Sequence, residues 1–297
     1  MSASNRSISE RRQGLSWWHL CLFFVLAVAL FVLLRWQPDA WLQEQIDNQA
    51  YQHGMVVQYQ RLHVDGFTLH LEHLSIRSAR WPAPMMIDTL TLTPAWSSLL
   101  KARAAIHLLA NSNGQRLETL LIWQSGHIGI SGLQGDLDVA LLQPFWQRRL
   151  TLPIYVGGRL ILAGDMLLDA ASGMPVDGNI KLEWHSAATD VTGLDKPLGD
   201  YRLLLKAGKA SGKLSGKASG KSWQWTLTGG SSLKLSGQGT IHIAGPLLQQ
   251  WGIHGRIRLQ PMRRDNAIAA MLGGKVAAFS LSGNVINPRW QALVVGH

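Results

Sequence analysis

A glycine-rich stretch at residues 216–222, GKASGKS, is the part of the sequence closest to a phosphate-binding loop. That motif requires a glycine five positions before Gly220, and Ser215 occupies this position. A phosphate-binding loop also opens a helix, whereas residues 223–227 alternate between apolar and polar side chains, as in a strand. The sequence therefore predicts that this stretch does not bind a nucleotide.

Two further residue pairs have types that could do chemistry. His70 and His73 are three residues apart, a spacing that suits metal binding on a helix but places them on opposite faces of a strand unless a bulge intervenes. Asp136 and Asp138 alternate as on the solvated face of a strand. No zinc-protease, nucleophile-elbow or dinucleotide-binding motif occurs. We therefore expect surface histidines, no catalytic residue, no metal site, no cofactor and no enzyme activity.

A lysine series is the candidate binding site in the sequence. Glycine, serine and alanine separate its members, so the backbone can approach a partner closely and the ammonium groups can contact phospholipid headgroups or an acidic protein. The alternative is that these lysines only protect the edge of a sheet against aggregation. The series consists of Lys206, Lys209, Lys213, Lys217 and Lys221.

The elements that position these residues follow an apolar segment, residues 15–34 (LSWWHLCLFFVLAVALFVLL). Twenty helical residues span about 30 Å, the thickness of the hydrocarbon core, with Trp17 and Trp18 at one boundary and Trp36 at the other. Residues 1–14 have three arginines and one glutamate, which predicts a cytoplasmic N-terminus. A cleavable signal peptide has a shorter apolar core and a small-residue cleavage site, whereas Arg35-Trp36-Gln37-Pro38 follows here.

We therefore expect a single-pass transmembrane helix in a bacterial inner membrane, with the rest of the chain in the periplasm. The only cysteine, Cys21, lies within the apolar segment, so the exported part has no disulfide. Its partners are not expected to include nucleic acid despite the formal net charge of +10, because export removes it from the cytoplasm.

The exported part is predicted to be mainly β. Residues 39–51 have helical spacing, and from Val56 onward apolar residues alternate with polar ones in short runs. Asn113-Gly114 and Asp177-Gly178 are typical of tight hairpin turns, and a slip of the alternation at His73 predicts a bulge. The alternating runs are 67–71, 90–92, 106–108, 160–162, 180–184, 223–227, 233–235, 241–243 and 257–259. These patterns predict an antiparallel, highly twisted sheet with a few short helices.

The predicted plan has a cytoplasmic tail (1–14), the transmembrane helix (15–34), a membrane-proximal helix and linker (35–54) and a periplasmic β domain (55–297). The β domain has possible halves, 55–195 and 196–297. The first half, counted from Arg35, has 11 lysine and arginine residues against 15 acidic residues, and the second has 14 against two. This division indicates that the halves face different surroundings or that the basic half docks on an acidic surface.

An internal repeat is visible in residues 135–162 and 239–259. Each copy has a strand pattern beginning with glycine, a Leu-Leu segment with tryptophan, and a second strand pattern beginning with Gly-Arg. Residues 96–108 resemble a degenerate earlier copy. The repeat predicts a strand, a short helical turn and a strand in each copy, and chance similarity between β patterns is the alternative.

This layout resembles the type II secretion system protein N family of Gram-negative bacteria. The resembling stretches are 90–100 (LTLTPAWSSLL), 126–139 (GHIGISGLQGDLDV), 197–205 (PLGDYRLLL), 214–245 with its recurrent strand-glycine pattern, and 269–283 (AAMLGGKVAAFSLSG). The resemblance implies an accessory inner-membrane component of the apparatus that exports folded proteins across the outer membrane. It implies other components of that apparatus as partners, no catalysis, and no set of functional residues.

The strand, proline and Ser-Leu-Leu pattern in residues 90–100 is also similar to AsmA-like proteins, which are inner-membrane-anchored β structures implicated in lipid transfer. Those proteins are usually much longer than this chain. This second resemblance implies a lipid-binding or lipid-transfer function in the cell envelope as the alternative, with lipid as a possible partner.

Overall fold

The computed structural model describes Phe24, Val25, Val28 and residues 38–52, 54–78, 84–99, 103–143, 155–190, 197–208, 221–246, 248–262 and 275–293. The chain divides into two compact units, Met1–Gln45 and Ile46–His297. In the first unit, Phe24, Val25 and Val28 are helical and have exposed side chains. The rest of the predicted transmembrane segment, 15–34, lies outside the described residues. No helix in the part of the chain that the structure describes is long and apolar enough to span a bilayer.

Helix α1, Pro38–Gln52, begins in the first unit and ends in the second. Pro38 suits the first helical position because it has no N–H that would need a partner there, and Asp39 suits the positive end of the helix dipole. The helical spacing of residues 39–51 therefore predicted this element correctly.

The second unit contains one sheet with 15 strands. They are β1 Met55–Gln58, β2 Arg61–Asp65, β3 Thr68–Ser78, β4 Met85–Pro94, β5 Ala104–Ser112, β6 Gln115–Gln124, β7 His127–Asp138, β8 Val156–Asp169, β9 Pro175–Thr189, β10 Gly199–Ala207, β11 Lys221–Gly229, β12 Leu233–Ile243, β13 Trp251–Pro261, β14 Ala277–Gly283 and β15 Pro288–Leu293. Short helices follow β4, β7 and β12: α2 Trp96–Leu99 and the 3₁₀ helices η1 Val139–Leu142 and η2 Leu248–Gln250.

Every strand from β3 to β14 pairs with the next along the chain, and all of these pairings are antiparallel. Strands β1 and β2 both pair with β3, at opposite ends of it. The prediction of a mainly antiparallel β fold is confirmed. Strands β9 and β10 pair from Ala187↔Gly199 to Asn179↔Lys206, so residues on either side of position 195 belong to the same sheet.

The two Asn/Asp-Gly predictions had different outcomes. Asn113 and Gly114 have φ angles of 49° and 75° and connect β5 to β6, as a two-residue hairpin turn requires. Asp177 and Gly178 lie inside β9, so the predicted turn is wrong there. A Cβ at Gly178 would lie 2.6 Å from the Asp165 carbonyl oxygen. This glycine therefore permits a close approach of two strands, a role that local sequence cannot distinguish from a turn.

The alternation slips at His73 in a different way from the one predicted. His73 has a left-handed φ of 50°, and Leu71 and Leu74 on either side of it are both buried. The register between β3 and β4 is nevertheless unchanged from Leu69↔Leu92 to Ile76↔Met85. The slip is real, but it is a left-handed residue in a continuous register and not a bulge with an extra residue in one strand.

The copies of the predicted repeat have the same local elements. The end of β7, η1 and β8 form the first copy, and the end of β12, η2 and β13 form the second. Strand β4, α2 and β5 repeat the arrangement earlier in the chain. Among the described residues each copy therefore has a strand, a one-turn helix and a strand, and the repeat itself stays a prediction.

Alternation along the strands gives the sheet one apolar and one polar face. Strand β12 shows it most clearly, because each residue from Leu233 to Ile243 is alternately shielded and exposed. On the apolar face two clusters of buried residues form around Trp223 and Trp225; their other buried members are Ile180, Ile243, Ile257 and Leu281. Among the described residues no large side chain is less than 2% exposed.

The Trp225 indole is a central part of the apolar face. Trp225 is the register partner of Gly239, which in turn pairs with Gly255, so two glycines lie beside it on consecutive strands. The indole Nε1–H donates a hydrogen bond to the His254 carbonyl oxygen at 3.3 Å. A Cβ at Gly239 would lie 2.7 Å from Trp225 Cε2. The glycines therefore make room for a ring that crosses β12 and reaches β13.

Candidate functional site

The polar face of β10–β15 carries the basic side chains of the second half of the chain. Register partners share a face, so Arg256 on β13 lies in a transverse row with Gln238 on β12 and Thr226 on β11. The row continues through Leu204 and Lys181 on one side and through Ser280 and Gln291 on the other. A second row crosses the sheet through Glu183, Arg202, Thr228, Ser236, Arg258 and Ala278.

Five cations on this polar face have no acidic partner among the described residues. They are Lys206, Lys234, Arg256, Arg258 and Arg289. The reason is visible in the sequence, since after Asp200 the chain has only one acidic residue, Asp265. A partner with negative charge would therefore meet cations that no intramolecular carboxylate neutralises.

On the neighbouring strand β9, by contrast, an acidic residue, Glu183, lies next to the cations. Glu183 lies between two cations, with Lys181 Nζ at 3.0 Å and Arg202 Nη2 at 2.6 Å from Oε1. Hydrogen bonds from Lys181 and then from Arg202 lower the pKa of the Glu183 carboxyl. Lys181 and Arg202 therefore share one acidic partner, and the cations without any acidic partner lie beyond them.

A shallow cleft of about 480 Å³ lies over β11–β13. Hydroxyl and amide side chains line it together with one cation; the polar members are Gln224, Thr226, Gln238, Thr240 and Arg256. Such groups hydrogen-bond to polar ligands, and the guanidinium can bind a carboxylate or a phosphate with two parallel hydrogen bonds. The cleft and the five free cations together are named the basic face.

The predicted lysine series is only partly within the described structure. Lys206 is exposed near the end of β10 and pairs with Asn179 and Gln224, on the polar face. Lys221 opens β11 opposite Ile243, so it is not a register partner of Lys206. Lys209, Lys213 and Lys217 lie outside the described residues. Of the predicted site, therefore, the structure assigns one residue, Lys206, to the basic face.

The sequence analysis did not single out Lys234, Arg256, Arg258 and Arg289. A signal was available in residues 254–260 (HGRIRLQ), where basic and apolar residues alternate on one strand. The members of the lysine series, by contrast, are close together in the sequence. The residues of the basic face lie up to 83 positions apart in the sequence, from Lys206 to Arg289, and only the pairing of their strands brings them together.

Three of the acidic and histidine residues that the sequence offered for chemistry have structural partners: Asp136, Asp138 and His70. Arg159 hydrogen-bonds to Asp136, which lowers the pKa of that carboxyl, and Asp138 caps η1 by accepting a hydrogen bond from the Ala140 N–H at 2.8 Å. His70 Nδ1 lies 3.3 Å from the Thr91 hydroxyl.

A second cleft, of about 540 Å³, lies on the polar face of β2–β4 and contains His63 and His70. Its one cation, Arg61, is paired with Glu72 at 3.6 Å. No group of three metal-ligating side chains occurs among the described residues.

Strand β11 begins at Lys221, so the stretch after the Gly-Lys-Ser tail is a strand, as the sequence predicted.

Within the described residues the fold and the surface define a protein with one antiparallel sheet, an apolar face, and a polar face that is basic over β10–β15. Comparison with models of protein families, with curated proteins and with solved structures finds no match. The function must therefore be argued from the chain itself.

Proposed function

We propose that the chain is a non-catalytic accessory component of the type II secretion system. In this proposal residues 15–34 anchor it in the bacterial inner membrane, and the sheet lies in the periplasm as a surface for contacts with other components. Its role is to support the export of folded proteins across the outer membrane.

The observation that carries the proposal is the basic face. Five cations without acidic partners, on strands held in one continuous register, form a fixed surface for an interaction. The stretches that resemble the secretion family also support it, because 90–99, 126–139 and 197–205 lie in or directly beside strands of this sheet.

Deletion of the chain from a secretion-competent host tests the function. We expect reduced export of a folded substrate, restored by the full chain and measured as the extracellular to periplasmic ratio of that substrate. Unchanged export after deletion would refute the proposal.

Photo-crosslinking in the same cells tests the surface. A crosslinker at Gln238 on the basic face is expected to form adducts with secretion components, and one at the exposed His107 of β5 serves as the matched control. Equal adducts from both positions would argue against a role of the basic face.

Lipid binding is the second candidate, and the apolar face favours it. Leu203, Leu227, Ile253 and Leu259 pack against the Trp225 cluster but stay partly exposed. A sheet with one partly exposed apolar face can shelter acyl chains. Mass spectrometry of the purified full chain tests this: a fixed lipid stoichiometry that falls in Ile253→Gln would support lipid binding, and lipid-free protein would contradict it.

A further inference from the structure

We propose that the basic face binds an extended acidic protein segment, which runs along β13 with carboxylates on Arg256 and Arg258. This inference rests on the proposed function, because it names the chemistry of the partner that the sheet contacts. It commits to a protein segment and not to a membrane surface.

The spacing of the two arginines is the first argument. Arg256 and Arg258 are two residues apart on one strand and share its polar face, so their Cα atoms are about 6.8 Å apart. An extended segment has the same repeat, since its alternate side chains also point to one side. Acidic residues at alternate positions of a partner would therefore meet both guanidinium groups in register.

The surroundings of the arginines are the second argument. Ser236 and Gln238 on β12 are the register partners of Arg258 and Arg256, and Thr240 follows on the same face. Gln238 and Thr240 line the 480 Å³ cleft beside Arg256, and Ser236 continues the same face next to Arg258. They can hydrogen-bond to the backbone of a bound segment, while the flat guanidinium groups bind its carboxylates.

The lack of aromatic side chains is the third argument. On the polar face of β11–β13 the described residues are serine, threonine, glutamine, glycine, histidine, lysine and arginine. A surface that enters a membrane interface usually presents tryptophan, phenylalanine or leucine beside its cations. The exposed Trp290 is the register partner of Leu281, so it belongs to the apolar face. The part of the basic face over β11–β13 is therefore better suited to a polar, acidic chain.

The test is a binding titration with the purified full chain in detergent micelles. The probe is a fluorescein-labelled peptide with glutamate at alternate positions and serine between them, followed by fluorescence anisotropy. A peptide of the same composition with its glutamates in one block is the comparison. We expect the alternating peptide to bind more tightly than the block peptide. Its binding should weaken as salt rises from about 0.02 M to about 0.3 M, where the Debye length falls to about 6 Å.

Two double variants test whether the peptide binds at Arg256 and Arg258. R256E/R258E should lower the affinity about tenfold or more, because attraction becomes repulsion at both carboxylate positions. R61E/R116E makes the same change in charge at two exposed arginines of β2 and β6, and it should leave the affinity within about twofold. R256Q/R258Q should give an intermediate loss, and it replaces R256E/R258E if that variant has a lowered urea midpoint.

The possible results distinguish a failure of the peptide-binding inference from a failure of the proposed secretion function. Equal affinity in R256Q/R258Q and the unmodified chain overturns the inference. So does binding to vesicles rich in phosphatidylglycerol that depends on Arg256 and Arg258 while the peptide does not bind. Peptide binding together with unchanged export after deletion of the chain would preserve the basic face as a protein-binding surface and refute the secretion function.

Discussion

Alanine at Gly255 tests how the apolar face of the sheet is packed. Gly255 lies on β13 beside the Trp225 indole, and a Cβ there would lie 3.0 Å from Trp225 Cε2 and closer still to Cζ2. The same Cβ would lie 2.7 Å from the Gln238 carbonyl oxygen. No rotation of a flexible chain end relieves these contacts, because one neighbour is a buried ring and the other is backbone.

The expected loss of stability follows from these contacts. Trp225 is 5% exposed and packs against Ile257 and Leu281, so its ring has little room to move. Forcing an extra carbon into such packing typically costs about 1–3 kcal/mol, and displacement of the ring also weakens the hydrogen bond to His254. We expect Gly255→Ala to lower the free energy of unfolding by about 2 kcal/mol.

Gly252→Ala is the matched control on the same strand. The nearest atoms to a Cβ there are 3.9 Å away, and the backbone is not left-handed. Alanine should therefore change stability by no more than about 1 kcal/mol, in the stabilising direction, through the unfolded state. Both variants are compared by urea unfolding of the full chain in detergent, followed by circular dichroism. With a slope of about 2 kcal/mol per molar urea, Gly255→Ala should lower the midpoint by about 1 M.

Equal midpoints for the two alanine variants would refute this account of the packing. A double-mutant cycle with Trp225→Leu gives the second check. Without the indole, Gly255→Ala should cost less, and an unchanged cost would mean that the backbone contact with Gln238 alone accounts for the loss.

Three further predictions concern titration and topology. The buried Tyr201 hydroxyl donates to the Leu233 carbonyl oxygen at 2.8 Å, and burial raises its pKa to about 12. Tyr201→Phe should lose about 1 kcal/mol at pH 8, and the urea midpoints should converge between pH 10 and 12, where the unfolded chain releases the phenolic proton before the folded one. The Ser186 N–H donates to Asp200 at 2.8 Å and lowers the pKa of that carboxyl. Asp200→Asn should therefore be less stable at pH 7, with a difference that disappears as the pH falls below about 4; a constant difference would contradict the assignment. Alkaline phosphatase fused to the C-terminus should be active in cells and lose its activity when residues 15–34 are deleted, whereas retained activity would refute the predicted anchor.

The prediction of the elements succeeded where a local rule decided the outcome. The hairpin at Asn113-Gly114 follows from the positive φ angles that these two residues adopt readily, and helix α1 follows from spacing and Pro38. The turn at Asp177-Gly178 failed because a glycine in a strand and a glycine in a turn have the same local preferences. The requirement for a small residue at Gly178 comes from Asp165 on the neighbouring strand.

For the candidate site too, the sequence predicts what depends on neighbouring residues, and the pairing of strands decides the rest. The excess of basic residues after Lys196 and the alternation in Arg256-Ile257-Arg258 are visible in the sequence, since they depend only on composition and on the period of a strand. The cations of β10 and β13 share a face because three consecutive register pairings relate those strands. A shift of one residue in any of these pairings would move a whole strand's side chains to the opposite face.

The sequence by itself determined the mainly β fold, the hairpin at Asn113-Gly114 and the basic character of the second half. These properties depend on residues that are neighbours in the chain. Only the tertiary structure decided the order of the 15 strands, the packing of Trp225 over Gly239 and Gly255, and which cations are paired with Glu183 and which have no acidic partner. Each of these depends on hydrogen-bond register between strands, which is set by contacts between residues far apart in the sequence.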